Sequence, residues 1–365
     1  MKQQVTLRYL FSIASLLAFS AAAWTQGITT PRTPSPAGKV SQTIGISSVT
    51  VEYSRPSVRG RVIWGDLVPY GWNVQNFGYQ KSAPWRAGAN ENTVIEFSHD
   101  ATVEGHAVPA GRYGLFFTIS PDDSGEVILS KDYRSWGSFF YESDHDQLRA
   151  KIQLRSHAMT ELLTYDFINL TKNNAELVLN WENKQFPVRI EFAVDDIVIA
   201  NAMDELKGPV GFNWQGYASA ANYALLNKIN PEMGLQWADK AIGMNKNFTT
   251  LTVKAGLLEQ QNKAAEAEKI QAEALTLGTE VELNAYGYQL LNQGAHDKAI
   301  HIFIVNTERF SESANAWDSL GEGYAIKGDR ENAIKSFKKS LSLNPPEAVR
   351  ANSEKYLKKL GAMKS

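Results

Sequence analysis

The sequence predicts a two-domain protein in which an antiparallel β-sandwich is followed by an α-helical solenoid. The chain has 365 residues, which is more than one ordinary hydrophobic core needs. From about residue 38 to residue 194, apolar and polar residues alternate, as in strands with one buried face. After Asp195 and Asp196 the apolar spacing becomes that of helices.

The composition is that of folded domains rather than of a nucleic-acid-binding or disordered chain. Hydrophobic residues make up 43% and charged residues 21%, which argues against extended disorder. The formal net charge of −2 gives no overall positive field, so we expect no nucleic-acid partner. The chain contains no Cys, so thiol catalysis, disulfide bonds and lipid attachment through Cys are excluded.

Residues 1–26 are predicted to be a signal peptide, followed by a flexible segment at 27–37. Lys2 and Arg8 precede an apolar run, Tyr9–Trp24, that is shorter than the roughly 20 residues of a membrane span. We expect cleavage and no membrane span in the mature protein, with an uncleaved signal anchor as the alternative. Export without Cys favours a soluble protein of a bacterial periplasm or a secreted protein.

Residues 38–195 are predicted to form the β-sandwich domain. Nine or ten short strands with frequent turn signals are typical of an antiparallel sandwich or barrel. The alternation is clearest in four segments: Tyr113–Ile119, Leu148–Leu154, Leu177–Trp181 and Phe186–Val194. Turn-forming residues separate the strands at three places: Pro121–Gly125, Lys172–Asn174 and Glu182-Asn183.

Residues 196–214 are predicted to be a helical linker, 215–346 to be helical repeats and 347–365 to be a capping helix. Asp195 or Asp196 is expected to cap the first helix, which runs towards Leu206 before Gly208-Pro209. Further upstream, one helix pair is expected at Tyr217–Asn227 and Pro231–Ile242, and another pair within Phe248–Leu277.

The segment ANAWDSLGEGYAIKGDRENAIKSFKKSLSLNP, residues 314–345, resembles a tetratricopeptide (TPR) repeat. The matching positions are Trp317, Leu320, Gly321, Tyr324, Ala333, Phe337 and Pro345. Thirty-four residues upstream, the family's period places Gly287, Ala299 and Phe303 at equivalent positions. The resemblance implies stacked helix pairs that bury a continuous core. An irregular helical bundle is the alternative.

The β half also resembles a known family. The segments SQTIGISSVTVEYSRPSVRGRVIWGDLVPYG, WRAGANENTVIEF, VPAGRYGLFFTI and VILSKDYRSWGSFFY are similar to the DUF2911 family of exported bacterial proteins, found mainly in Bacteroidetes. The resemblance covers residues 35–194. It implies the fold and the compartment, and it carries no activity.

One candidate ligand site lies in the aromatic stretch from Trp72 to Glu91 and includes an arginine that precedes this stretch. Aromatic faces and Arg forks suit a sugar ring or a carboxylate. The candidate residues are Arg55, Trp72, Trp85, Arg86, Asn90 and Glu91. In the structural alternative, which we favour, this stretch closes one end of the sandwich. Arg86 and Glu91 then tie the loop, Asn90 satisfies turn amides and Gly88 supplies a positive φ.

No metal, cofactor or catalytic residue is predicted. Glu142, Asp144, His145 and Asp146 form an acidic stretch, but it lacks the spacing of a calcium loop, so we expect a solvated turn. A glycosidase carboxylate pair need not be close in sequence, and nothing in the chain singles one out.

The helical half offers a candidate groove for a partner protein or peptide, since side-chain amides can hold an extended backbone. The residues predicted to face it are Tyr223, Asn227, Asn284, Tyr288, Asn292, Asn315, Asp318 and Glu322. Solvated surface positions are the alternative.

The sequence therefore favours an exported, non-catalytic binding or scaffold protein of the bacterial cell envelope. Its repeats would bind a protein or peptide, and its β-sandwich would recognise another ligand, such as an envelope glycan. The alternative is a hydrolase or a carbohydrate-binding module that acts on glycans or peptides through the aromatic loop.

Overall fold

A computed structural model describes residues 34–364, so the signal-peptide prediction lies outside the described residues. The chain divides into two compact units, with the boundary between Ile197 and Val198. The first unit is antiparallel β-structure and the second is α-helical. Within residues 34–364, none of the helices combines the length with the hydropathy of a membrane span.

The described part of the first unit contains twelve strands. A six-stranded sheet has the order β1-β2-β5-β8-β9-β10, a four-stranded sheet has the order β11-β12-β6-β7, and β3 and β4 form a small hairpin. The strands are β1 Ala37–Ile44, β2 Ser47–Ser54, β3 Asn73–Val74, β4 Ser82–Ala83, β5 Val94–Phe97, β6 Ala101–Val103, β7 His106–Val108, β8 Gly111–Ile119, β9 Ser124–Ser130, β10 Asp146–Gln153, β11 Arg155–Ile168 and β12 Asn174–Glu191.

The two larger sheets pack face to face, and their inner faces form the core. Phe117 of β8 lies 5.2 Å from Phe186 of β12, measured between ring centroids. Tyr53 of β2 and Tyr165 of β11 approach to 4.7 Å, edge to face. Side chains that interdigitate between two antiparallel sheets are the core of a sandwich. The predicted β-sandwich is therefore confirmed.

The period-two pattern correctly predicts which side chains are buried. On β10, Leu148, Ala150 and Ile152 are buried, whereas Arg149 and Lys151 are exposed. Since successive side chains point to opposite faces of a strand, this alternation is what a sheet with one wet face requires.

The predicted turn at Glu182-Asn183 is wrong, because β12 continues through it to Glu191. Glu182 has φ +53°, a left-handed conformation that interrupts regular pairing. The pairing with β11 shifts register on either side of the Thr160–Glu182 pair. The polar dipeptide therefore marks an irregularity within one long strand and not the end of a strand.

The second unit consists of helix pairs with short connections. The helices in the described residues are α1 Val194–Glu205, which spans the boundary, α2 Trp214–Asn227, α3 Pro231–Met244, α4 Phe248–Gln260, α5 Ala264–Leu277, α6 Glu280–Asn292, α7 His296–Arg309, α8 Ala314–Lys327, α9 Arg330–Ser342 and α10 Glu347–Lys359. Pro231 occupies the first turn of α3, as predicted. Asp195 and Asp196 lie inside the first turn of α1, so neither is its cap.

The 34-residue period corresponds to a repeated Gly–Phe contact. A Cβ atom on Gly287 of α6 would lie 2.3 Å from the ring of Phe303 of α7. One on Gly321 of α8 would lie 2.7 Å from the ring of Phe337 of α9. Both rings are fully buried. Each glycine therefore admits a phenylalanine between two paired helices, and the predicted TPR-like solenoid is confirmed.

Candidate functional site

The second unit carries a groove of about 1140 Å³ along the first helices of three successive pairs, α2, α4 and α6. Most of its lining comes from one face of each helix. The residues are Trp214, Gln215, Ala218, Ser219, Asn222, Leu225, Leu226 and Lys228 of the α2 segment; Phe248, Thr249, Thr252, Val253, Gly256, Glu259 and Gln260 of α4; Glu282, Ala285, Tyr286, Gln289, Leu290 and Gln293 of the α6 segment; and Ala295 and Lys298 at the start of α7.

The floor of this groove is apolar. Leu225 packs over Gly256, where a Cβ atom would lie 2.9 Å from the leucine side chain. Phe248 and Tyr286 meet edge to face with centroids 5.8 Å apart. Leu226 is 56% exposed and lines the same groove as Leu225 and Phe248, so it extends their apolar surface. An apolar partner surface would remove this leucine from water.

The rim of the groove is polar and almost neutral. Lys298 pairs with Glu259 at 2.9 Å, so these two charges compensate each other. Gln260 donates to the Leu225 carbonyl at 2.7 Å. Four further amides make no side-chain hydrogen bond to any residue of the described range: Gln215, Asn222, Gln289 and Gln293. These amides can donate to and accept from a bound backbone.

The eight residues predicted to face the partner do not line this groove. Tyr223 packs against the core around Ala221, and Asn227 donates to its carbonyl at 2.9 Å. Tyr288 packs on Phe303 at 5.3 Å. The groove instead uses neighbours one position away, such as Asn222 and Gln289. A shift of one residue rotates a side chain by about 100° around a helix, which moves it to a different face.

The other predicted groove residues differ in their surroundings. Asn284 is half-buried on α6, Asn292 is exposed at its end, and Asn315 donates to Glu280 at 3.2 Å. Asp318 is buried and accepts hydrogen bonds from Asn352, at 2.8 Å, and from Ser353.

Asp318 and Glu322 tie the capping helix α10 to α8. Asn352 of α10 donates to both carboxylates. Burial raises the pKa of Asp318 from its usual value, partly offset by the hydrogen bonds from Ser353 and Asn352. These contacts with α10 explain why Asp318 and Glu322 lie where they do, and a bound partner protein is not needed to explain it.

In the first unit, Trp85 belongs to the end of the sandwich core. It stacks on Trp181 with ring centroids 5.8 Å apart and planes 14° apart, and Trp64 meets it edge-on at 5.8 Å. Its backbone exchanges two 2.9 Å hydrogen bonds with Phe117. Trp72 instead packs on Tyr141, with Arg149 4.7 Å above its ring. The two tryptophans thus have different neighbours and make no contact with each other among these ring contacts.

Arg55, Asn90 and Glu91 also lie in separate places. The Arg55 guanidinium donates from Nε to the Leu163 carbonyl at 2.9 Å and from Nη2 to Thr164 Oγ1 at 2.6 Å. This ties the end of β2 to β11. Asn90 Nδ2 donates to the Ser35 carbonyl at 3.4 Å, and Glu91 lines a second groove of about 730 Å³.

In the turn before β5, the residues with positive φ angles are not the glycine that was predicted. Ala87 and Asn90 adopt positive φ angles of +53° and +61°, and Gly88 does not. Gly88 is needed for close approach, since a Cβ atom there would lie 2.7 Å from Thr93 Oγ1 and 3.1 Å from the Ser54 carbonyl. The prediction that Gly88 supplies the positive φ is therefore wrong.

Arg86 is half-buried in this turn. Its Nη1 donates to the Asn90 carbonyl at 2.5 Å, and its Cζ lies 5.0 Å from the centre of the Phe139 ring. Burial lowers the pKa of the Arg86 guanidinium from its usual value. The expected tie to Glu91 is replaced by this bond to the Asn90 carbonyl.

A group of possible metal ligands joins Asp132 to two residues of the acidic stretch, Glu142 and His145. Their ligand atoms lie within 4.8 Å of one another. His145 Nδ1 lies 2.5 Å from Asp132 Oδ2, and Lys81 pairs with Glu142 at 2.9 Å. The hydrogen bond to Asp132 raises the pKa of His145. Asp132 and Glu142 therefore each have a partner within the protein. Sequence reasoning missed Asp132, because only the pairing of β9 with β10 brings it to His145.

The β unit matches a known family. Residues 35–190 match the model of the family described as "Protein of unknown function (DUF2911)", which confirms the resemblance predicted from the sequence. The match covers most of the first unit and none of the second. A comparison with curated proteins gave no match.

Several solved structures resemble part of the chain. YrrB, titled a TPR protein with an unusual peptide-binding site, is 20% identical over 44% of this chain and 84% of its own, with a TM-score of 0.26. MamA is 19% identical over 41% and 89%, with a TM-score of 0.27. PilF of Pseudomonas aeruginosa is 19% identical over 42% and 71%, with a TM-score of 0.26. These scores are low, and the repeat assignment rests on the Gly–Phe packing within this chain.

Proposed function

We propose that this protein, whose first unit matches a family of unknown function, is a non-catalytic binding protein that holds a peptide segment of a partner protein in the groove along α2, α4 and α6. The observation that carries the proposal is the lining of that groove. An exposed apolar floor at Leu226 lies beside side-chain amides that have no partner among the described residues.

The length of the groove suits a short segment. It runs along the whole of α2, whose 14 residues span about 21 Å at roughly 1.5 Å per residue. An extended peptide covers that distance with about six residues, at roughly 3.3 Å each. The volume of about 1140 Å³ exceeds the roughly 300–1,000 Å³ of most small-molecule pockets.

The lining also sets the chemistry of the segment. Because Lys298 is neutralised by Glu259, the rim does not select a strongly charged peptide. Amides such as Asn222 and Gln289 suit the peptide backbone, and Leu226 with Phe248 suits apolar side chains. We therefore expect a segment with two or three apolar anchors and a low net charge.

A random 12-residue peptide library displayed on phage and selected on the immobilised full-length protein tests the proposal. Selected peptides, synthesised with a fluorophore, are titrated against wild-type protein and against Leu226→Glu by fluorescence polarisation. A carboxylate on the apolar floor is expected to weaken binding at least about tenfold, since burying an unpaired charge is costly.

Val281→Glu is the matched control. Val281 is also an exposed aliphatic residue, at 75%, and it lies on α6 outside the groove. This variant should bind the selected peptides as the wild type does. Equal affinity in Leu226→Glu, or equal losses in both variants, would show that the peptides bind elsewhere.

Export completes the proposed role. The N-terminal segment with Lys2, Arg8 and the apolar run Tyr9–Trp24 supports secretion to a bacterial envelope, where the helical unit would hold its partner. The β-sandwich would add a second recognition surface, with an envelope glycan as one ligand class.

A further inference from the structure

Arg86 is the half-buried arginine of the turn before β5, and its environment is built around it. The Phe139 ring lies under the guanidinium, with Cζ 5.0 Å from the ring centre. Gly137 has φ +58°, and a Cβ atom there would lie 2.6 Å from Arg86 Nη1. A side chain at position 137 would therefore displace the guanidinium.

No acidic residue in the range 34–364 forms an ion pair with Arg86. Residues 1–33 contain no Asp or Glu, so the part of the first unit that precedes the described range supplies no carboxylate side chain either. Burial of an unpaired charge carries a free-energy cost, which is visible in the lowered pKa of this arginine. An anion bound at Arg86 would offset part of that cost.

The hydrogen bonding leaves one edge of the guanidinium available. Nη1 is used by the Asn90 carbonyl, and Nε and Nη2 make no hydrogen bond within the described residues. Neither nitrogen is a fully buried polar atom without a partner, so each keeps some contact with solvent. The Nε and Nη2 N–H groups form the fork that binds an oxyanion through two parallel hydrogen bonds.

Arg55 provides the contrast. Its Nε and Nη2 are occupied by the Leu163 carbonyl and Thr164 Oγ1 in the tie between β2 and β11. At Arg86 the same two nitrogens are held in place by Phe139 and Asn90 without being used.

We propose that Arg86 is the anchor of an oxyanion-binding site in the first unit, where its Nε–Nη2 edge receives a carboxylate or phosphate group of a ligand. Phe139 and the Asn90 carbonyl are positioning groups that hold the guanidinium plane. The site lies in the first unit and is independent of the peptide groove proposed for the second.

The test follows the arginine Nε–H signals of ¹⁵N-labelled full-length protein by NMR. Sodium acetate and inorganic phosphate are titrated separately at about pH 7, with chloride keeping the ionic strength constant. The Arg86 signal, assigned through its own backbone, should shift saturably with one or both anions. The anion that binds more tightly shows which of the two groups the site prefers.

Arg86→Lys keeps the charge and removes the fork, so the anion affinity, measured in this variant from the backbone amide signals next to position 86, should fall at least about tenfold. Arg134→Lys is the control, because Arg134 is exposed and lies 5.2 Å over Tyr133 without an ion pair to a residue in the described range. Its affinity should equal that of the wild type.

The proposal is overturned if the Arg86 signal moves linearly, or no more than that of Arg134, with both anions. Affinity in Arg86→Lys equal to the wild-type value also overturns it. If Arg86→Lys does not fold, the wild-type titration still decides, because it needs no substitution.

Discussion

Replacing Phe337 by alanine removes the ring that joins three helices of the second unit. This ring is fully buried, lies against Gly321 of α8 and stacks on Tyr356 of α10 at 5.0 Å. Phe303 has the same role one repeat earlier, against Gly287. If the 34-residue register is right, Phe303→Ala and Phe337→Ala should have similar effects.

The expected loss in the free energy of unfolding is about 3–5 kcal/mol for each variant. A phenylalanine buries about 150–250 Å², which corresponds to roughly 4–6 kcal/mol at about 25 cal/mol per Å². That area value is an upper bound, because alanine retains part of the contact and denatured chains already bury some surface. Collapse of neighbouring side chains into the cavity would place the loss near the lower end.

The assay is urea unfolding of the full-length protein followed by circular dichroism at about 222 nm, where helices dominate the signal. Phe212→Ala is the matched control, because Phe212 belongs to the same unit and is 76% exposed. It should change stability by less than about 0.5 kcal/mol. Losses below about 1 kcal/mol in Phe303→Ala and Phe337→Ala would refute the repeat register.

Three further predictions concern the unit boundary, export and pH. Fragments that end at Ile197 and begin at Val198 should show β-type and helical circular dichroism, each with a cooperative melt; an unfolded first fragment would contradict independent folding. Mass spectrometry of protein from the cell envelope should find a mature N-terminus between Trp24 and Gly27, and a membrane-bound form that retains the N-terminal Met would contradict export. Since the hydrogen bond to Asp132 raises the pKa of His145, protonated His145 stabilises the fold below its unfolded pKa of about 6.5, and this contribution is lost as pH rises through the raised value. His145→Gln should therefore lower the urea midpoint at about pH 5 and have little effect at about pH 9, whereas a constant difference would contradict the pairing.

The period of the apolar residues predicted most of the fold. The alternation of apolar and polar residues in Leu148–Leu154 correctly predicted which face of β10 is buried. The spacing between Gly321 and Phe337 correctly predicted how the helices of a repeat pair. Both patterns involve residues that are close together in the chain, so they can be recognised in a single sequence. The long strand through Glu182 was missed because a left-handed polar residue looks like a turn unless its pairing with β11 is known.

The candidate sites were less predictable, for physical reasons that differ from site to site. On α2, the choice between Tyr223 and Asn222 depends on the rotation of the helix within the stack, which the sequence pattern defines only to about one residue. The contact of Asp132 with His145 depends on strand pairing. Whether Arg86 has an acidic partner depends on all the residues that the fold brings near it, and no local sequence pattern predicts this.

Site-specific photo-crosslinking from the groove tests the central claim most directly. A benzophenone amino acid replaces Leu226 in one variant and Val281 in another, since both positions are exposed and only Leu226 lines the groove. Each variant is irradiated with a peptide selected on the wild-type protein, and the products are mapped by mass spectrometry. Crosslinks to the peptide from position 226 and none from position 281 are predicted. Equal crosslinking from both positions, or none from 226 while the peptide remains bound, would contradict the assignment of this groove as the peptide-binding site.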